Sequence, residues 1–149
     1  MMPGQHVIAS GITSAFFMFL TRSLPGTIVC FFSGILIDLD HILDYYLIKK
    51  KMCWSLKELV DFCLDQKVEK AYLVLHAHEL MAVLWIVASY RRLNALWIGG
   101  LFGMSVHLLL DQIANPVDGL TYFWFYRSRI GFPKSLFFAR NTAKDDRQI

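Results

Sequence analysis

The stretch LPGTIVCFFSGILIDLDHILD, Leu24–Asp44, decides how this chain is built. Pro25-Gly26 is turn chemistry and marks the start of a helix. From Leu24 to Ile37 no residue is charged, and then Asp38, Asp40, His41 and Asp44 arrive almost together. An apolar helix that ends in carboxylates and an imidazole is costly to bury unless those groups have a task.

Working outward, three further apolar runs flank this one. They cover about His6 to Leu20, Ala71 to Tyr90 and Leu93 to about Asn115, and the central run extends from Leu24 to about Ile48. A helix that crosses a bilayer needs about 20 mostly apolar residues. The composition points the same way. Hydrophobic residues make up 56% of the 149 and charged residues 18%, below the roughly 25% usual in soluble domains, and the mean hydropathy is +0.43. Too few charges remain to cover a globule in water. The expected fold class is therefore all-α: an integral membrane bundle of about four transmembrane helices. It forms a single domain over residues 1–140, followed by a polar tail at 141–149. The start of the chain lacks a basic segment, so the first apolar run is expected to be a retained helix and not a cleaved signal.

Between the second and third runs lies a polar segment, Lys49 to Lys70. Within it, Ser55-Leu-Lys-Glu58 has the spacing of a capping box, and Leu56, Leu59, Val60, Cys63 and Leu64 follow at helical spacing. This predicts a short amphipathic helix on the membrane surface. Tyr122-Phe-Trp-Phe-Tyr126, with Arg127 and Arg129, reads as an aromatic segment at the membrane–water interface. Cys30, Cys53 and Cys63 are odd in number and hold no Cys-x-x-Cys pair, which disfavours a disulfide framework or a thiolate zinc site. The net charge of +3 is spread over the flanks, so no nucleic-acid partner is expected. With four spans, twelve of the fifteen basic residues fall on the side of the N-terminus, the polar segment and the tail, and three fall opposite. The positive-inside rule places that richer side in the cytoplasm of a cell (inner) membrane, with both termini cytoplasmic.

The topology rests on lysine and arginine alone, yet it gathers all five histidines in one leaflet: His6, His41, His76, His78 and His107. Carboxylates accompany them. Asp38 and His41 are three apart, as are His76 and Glu79, and His107 and Asp111 are four apart, so each pair shares a helix face. Imidazole nitrogen with carboxylate oxygen is the donor set of zinc, manganese or iron sites. Asp38 and Asp40 point to different helix faces, and both can ligate only where the helix unwinds; His76 and His78 present the same conflict. Asp44 reads better as interfacial than as a ligand, and His78 suits a supporting position as well as a ligating one.

His6, the Asp38-Leu-Asp-His41 element, His76-Ala-His-Glu79 and His107-Leu-Leu-Leu-Asp111 together resemble the YdjM-like membrane-bound metal-dependent hydrolases. The likeness covers about residues 4 to 130, with Ile37 where the family usually has proline. The last element is also similar to one in zinc-dependent phospholipase C. The resemblance implies a membrane-bound, metal-dependent hydrolase, phosphoesterase-like, that acts on a phosphoester of a lipid or amphiphile at the cytoplasmic face. Its expected metal residues are His6, Asp38, Asp40, His41, His76, His78, His107 and Asp111. Asp40 or Glu79 would be the catalytic base, and Arg127 and Arg129 would hold a phosphate. The cofactor is one or two divalent ions, zinc first, with manganese or iron as alternatives. Membrane lipids are the expected partners. The rival is a non-catalytic metal-binding membrane protein: a carrier, a sensor or a structural site.

Overall fold

The computed structural model describes residues 3–65, 68–115, 117 and 119–137. It is all-α apart from one isolated bridge, Lys70 to Pro133. The tail at 141–149 and the basic residues Lys67, Arg140, Lys144 and Arg147 lie outside the described residues. The chain divides into two compact units, each built from two separate stretches of sequence: Met1–Ile37 with His78–Ala114, and Asp38–Ala77 with Asn115–Ile149.

The first unit holds α1 (Pro3–Thr21), α2 (Leu24–Leu36), α5 (His78–Arg91) and α6 (Ala95–Ala114). Its helix starts follow local chemistry. Ser23 caps α2 by accepting from the Gly26 amide at 3.3 Å, and Asn94 accepts from the Leu96 amide at the head of α6. Two stripes four residues apart then bring α2 and α6 together: Gly26, Cys30 and Gly34 on α2, and Gly99, Gly103, His107 and Asp111 on α6. A β-carbon at Gly99 would run into the Gly26 carbonyl, and one at Gly103 into the Cys30 carbonyl. Small residues at this spacing let helix backbones touch, as in membrane helix pairs. Ser33 donates across the same seam to the Gly100 carbonyl at 2.9 Å. Ser10, Thr13 and Ser14 of α1 are buried, whereas Ile8, Ile12, Phe19, Ile86, Trp97 and Ile113 face outward. The interior of this unit thus mixes hydroxyls with Phe17, Cys30, Met81, Ala88 and Leu108, while its outside carries large apolar side chains.

Helix α2 runs through a 3₁₀ turn (Ile37–Leu39) into α3 (Asp40–Lys49). Among the described residues, the continuous helical stretch Leu24–Lys49 and α6 are the two long and apolar enough to cross a membrane. Helix α5 has 14 residues and begins at His78, not near Ala71 as the hydropathy suggests.

The second unit holds α3, α4 (Leu56–Leu64), α7 (Trp124–Arg129) and a 3₁₀ turn at Lys134–Phe137. Its small core joins Tyr45, Phe62 and Val68, with Ile48, Cys53, Leu59 and Cys63 against it. Helix α4 thus spends Leu59, Phe62 and Cys63 inward, while Leu56 stays outside. Ser55 stands at its N-cap but makes no side-chain cap bond. Glu58, the expected reciprocal partner, bonds instead to the Tyr45 hydroxyl and to Lys51 Nζ at 2.7 Å. Those two contacts join α4 to α3 and to the turn behind it, and they displace the capping box. At the other end of α4, Lys134 Nζ donates to the Phe62 and Asp65 carbonyls at 2.6 and 2.9 Å. Burial pushes the Lys134 ammonium below its usual pKa.

Candidate metal centres

Within each unit two imidazoles and one carboxylate come together. In the first unit His6 comes from α1, and His107 and Asp111 from adjacent turns of α6. All three are buried. Asp111 faces both rings: its Oδ1 lies 3.6 Å from His6 Nε2 and its Oδ2 lies 3.5 Å from His107 Nε2. The two rings stack with centroids 4.2 Å apart. On the far side of its ring, His107 Nδ1 donates to the Gly34 carbonyl at 2.6 Å. That bond fixes the tautomer and turns Nε2 toward Asp111. It depends on the glycine seam, since only a close α2–α6 approach brings a backbone carbonyl so near the ring.

In the second unit Asp38 lies in the 3₁₀ turn, His41 in the first turn of α3, and His76 in the irregular segment before α5. His76 Nε2 lies 3.6 Å from Asp38 Oδ1, and the His41 and His76 rings have centroids 5.4 Å apart. Behind His76, Nδ1 lies 3.3 Å from Asp40 Oδ2. A carboxylate behind a histidine whose other nitrogen faces a cluster is the usual support of a metal-ligating imidazole. Burial of the His76 ring disfavours its charged form, but Asp38 and Asp40 outweigh that and hold its pKa above the ordinary imidazole value. This cluster favours positive charge.

The distances test whether a cation fits. An N–H···O hydrogen bond spans about 2.7–3.2 Å, and the nitrogen–oxygen separations of 3.5 and 3.6 Å are longer. Zinc–nitrogen and zinc–oxygen bonds of about 2.0–2.2 Å in a tetrahedron set ligand atoms roughly 3.3–3.6 Å apart. Within each cluster the three donor atoms lie within 4.8 Å of one another. Donor type and spacing therefore suit a divalent ion in both clusters. Two imidazoles and a carboxylate do not by themselves single out which metal.

Six of the sequence candidates are thus brought into clusters: His6, His107 and Asp111 in one, Asp38, His41 and His76 in the other. The 3₁₀ turn resolves the expected conflict at Asp38, and the late start of α5 frees His76 from any helix face shared with Glu79. His78 and Glu79 open α5, half-buried, and belong to neither cluster. Asp40 Oδ2 accepts from the Leu75 and His76 amides at 2.7 and 3.3 Å as well as facing the His76 ring. Asp44 accepts from the Tyr72 amide. Arg127 is fully enclosed and gives its terminal nitrogens to backbone carbonyls, whereas Arg129 is exposed. Sequence reasoning missed the Gly34 carbonyl and the backbone roles of Asp44 and Arg127. The Gly99–Gly103–His107–Asp111 stripe was the available signal for the first. In comparisons with known proteins, no family model, no curated protein and no solved structure matches this chain.

Proposed function

We propose that this protein is an integral membrane, metal-dependent hydrolase, of the kind its motifs resemble, acting on a phosphoester of a lipid or amphiphile at the cytoplasmic face. The observation that carries the reading is the pair of His–His–Asp clusters with donor atoms within 4.8 Å. Three protein ligands with one position left open is the usual arrangement of a catalytic zinc. His6, His107 and Asp111 would hold one ion, and Asp38, His41 and His76 the other. A divalent ion so held supplies Lewis acidity toward a phosphoryl oxygen and makes water acidic enough to attack near neutral pH.

The chain's own residues divide the remaining work. Asp40 is assigned to orienting His76, because its Oδ2 is committed to two amides and a ring nitrogen. The proton then falls to Glu79, the other carboxylate expected for it. Arg129, exposed beside the aromatic segment, takes the phosphate-holding part; Arg127 does not, having no surface to offer.

For the membrane, the outward apolar faces of α1, α5 and α6 support burial in lipid, with α2–α3 and α6 as spans. The segment after α3 supports contact with an anionic surface. Trp54 is 88% exposed and Leu56 82%, and the exposed Lys49, Lys50 and Lys57 stand beside them. Aromatic and basic side chains mixed in this way suit a lipid headgroup layer.

The test is metal content by inductively coupled plasma mass spectrometry on protein purified in mild detergent, beside phospholipid and lipid-phosphate hydrolysis. Two ions with hydrolysis that disappears on chelation support the reading. Absence of metal after resupply would sink it. The burial of His6, His107 and Asp111 also favours a second reading for the first cluster alone: a closed structural site that stabilises the helix pair without meeting substrate.

A further inference from the structure

The segment Tyr72–His76 is neither helix nor strand, yet charged side chains bind its backbone from two sides. Asp44 accepts from the Tyr72 amide at 2.9 and 3.1 Å, and Asp40 accepts from the Leu75 and His76 amides. Arg127 Nη1 donates to the Tyr72 carbonyl at 2.7 Å, and its Nη2 donates to the Leu73 and His76 carbonyls at 3.0 and 3.1 Å. The guanidinium comes from α7, the carboxylates from α3. Leu73 sits at φ 40, a left-handed conformation that is unfavourable for a residue with a β-carbon. Such a backbone persists only where its surroundings over-determine it. A buried arginine that reaches three carbonyls does so through its rigid fork of donors.

We propose that Arg127 is a positioning residue for the metal ligand His76. It fixes the carbonyl side of the 72–76 segment while Asp40 and Asp44 fix the amide side, so that His76 Nε2 is held toward Asp38 and His41. The inference rests on the metal reading above, and it replaces a phosphate-binding role for Arg127 with one exerted through the backbone. A purely structural Arg127 would lower the melting temperature and leave the affinity of the folded protein for metal unchanged. A positioning Arg127 changes that affinity in protein that still folds, because supports behind metal ligands are typically worth about 10–100-fold in binding.

The experiment uses full-length, chelator-stripped protein in detergent. His107→Ala silences the first cluster, so zinc alone, titrated calorimetrically, reports on the second. Arg127→Lys is then added. One ammonium cannot span three carbonyls, but it keeps the charge and much of the volume. The expected result is cooperative melting, zinc binding about 10–100-fold weaker than in H107A, and a changed visible absorption spectrum when cobalt replaces zinc. Equal affinity and an unchanged cobalt spectrum in folded R127K would overturn the proposal. If R127K does not melt cooperatively, Asp44→Ala, which removes the acceptor of the Tyr72 amide and so loosens the same segment from the amide side, decides by the same two readouts. H107A that binds no zinc would remove the metal reading of the second cluster, and the proposal with it, an outcome distinct from loss in R127K alone.

Discussion

The two candidate metal clusters share a donor set and differ in how they are built. In the first, all three ligands sit on regular helices, and the support for His107 is a backbone carbonyl made reachable by glycine. In the second, one ligand lies on a 3₁₀ turn, one on a helix and one on an irregular segment pinned by charged side chains. Their exposure differs too. The Asp111 side chain is 7% exposed, but the Asp38 side chain is 35% exposed, and His41 is half-buried. Helix packing produces a rigid, closed cluster. A side-chain clamp produces one with an open edge. The open edge is where a substrate could arrive, so under the proposed function turnover would belong to the second cluster, and stabilisation to the first on its structural reading.

The sharpest way to break this comparison is Asp38→Ala. Removing the exposed carboxylate should lower hydrolysis at least ~1000-fold, because Lewis-acid stabilisation is worth several kcal/mol, with little change in melting temperature. Asp111→Ala should do the reverse: it removes the other ion and lowers the melting temperature more than it lowers turnover by remaining folded protein. Paired measurements of lipid-phosphate hydrolysis and thermal melting decide it. Equal effects on both readouts would erase the division of labour.

Gly103→Val tests the helix-built cluster through its packing. The added side chain meets the Cys30 carbonyl, and backbone cannot yield as a flexible side chain can. Overpacking of this kind costs about 1–3 kcal/mol, read from denaturant or thermal unfolding in detergent. Separation of α2 from α6 also takes Gly34 away from His107, so zinc affinity at His6, His107 and Asp111 should fall as well. A smaller effect is expected from Asp40→Asn. The amide oxygen can still accept from Leu75 and His76, but the charge behind the His76 ring is gone, and zinc affinity at the second cluster should drop about tenfold, the lower end for a support of this kind. Calorimetric titration in the H107A background measures it.

The same contrast explains what could be read from the chain. His107 and Asp111 lie four apart on one helix, and Asp38 and His41 three apart, so local geometry already pairs them. The sequence asks for unwinding at Asp38 if Asp38 and Asp40 are to serve one site, and a 3₁₀ turn, Ile37–Leu39, lies there. His76 does join one of the two clusters, but the helical face it was expected to share with Glu79 does not exist, because the helix starts at His78. The reason is long-range. The backbone of residues 72–76 finds its partners on Asp40, Asp44 and Arg127, 28 to 55 positions away, and those bonds let an apolar run stay out of a helix. No periodicity within Ala71–Ala77 records them. The glycine seam of α2 and α6 was visible as a four-residue spacing on each helix, and only its pairing needed the structure.

The smallest effect concerns how the second unit holds α4, again by charge and not by close helix packing. The Lys51 ammonium and the Tyr45 hydroxyl beside Glu58 hold its carboxyl below the ordinary range, and the same contacts raise Lys51. A carboxyl whose folded pKa is depressed contributes stability that is present above its unfolded value, about 4.3, and is lost as pH falls through the depressed folded value. A raised lysine contributes below its unfolded value, about 10.4, and loses that contribution only at still higher pH. The attachment of α4 should therefore be constant through the neutral range and loosen on acidification below about pH 4. Hydrogen exchange of the α4 amides, corrected for the intrinsic pH dependence, should show that loosening in the wild type. In Glu58→Gln the same amides should exchange faster at neutral pH and respond less to acid. An acid response identical in both proteins would mean that the apolar contacts of Leu59, Phe62 and Cys63 hold α4 unaided.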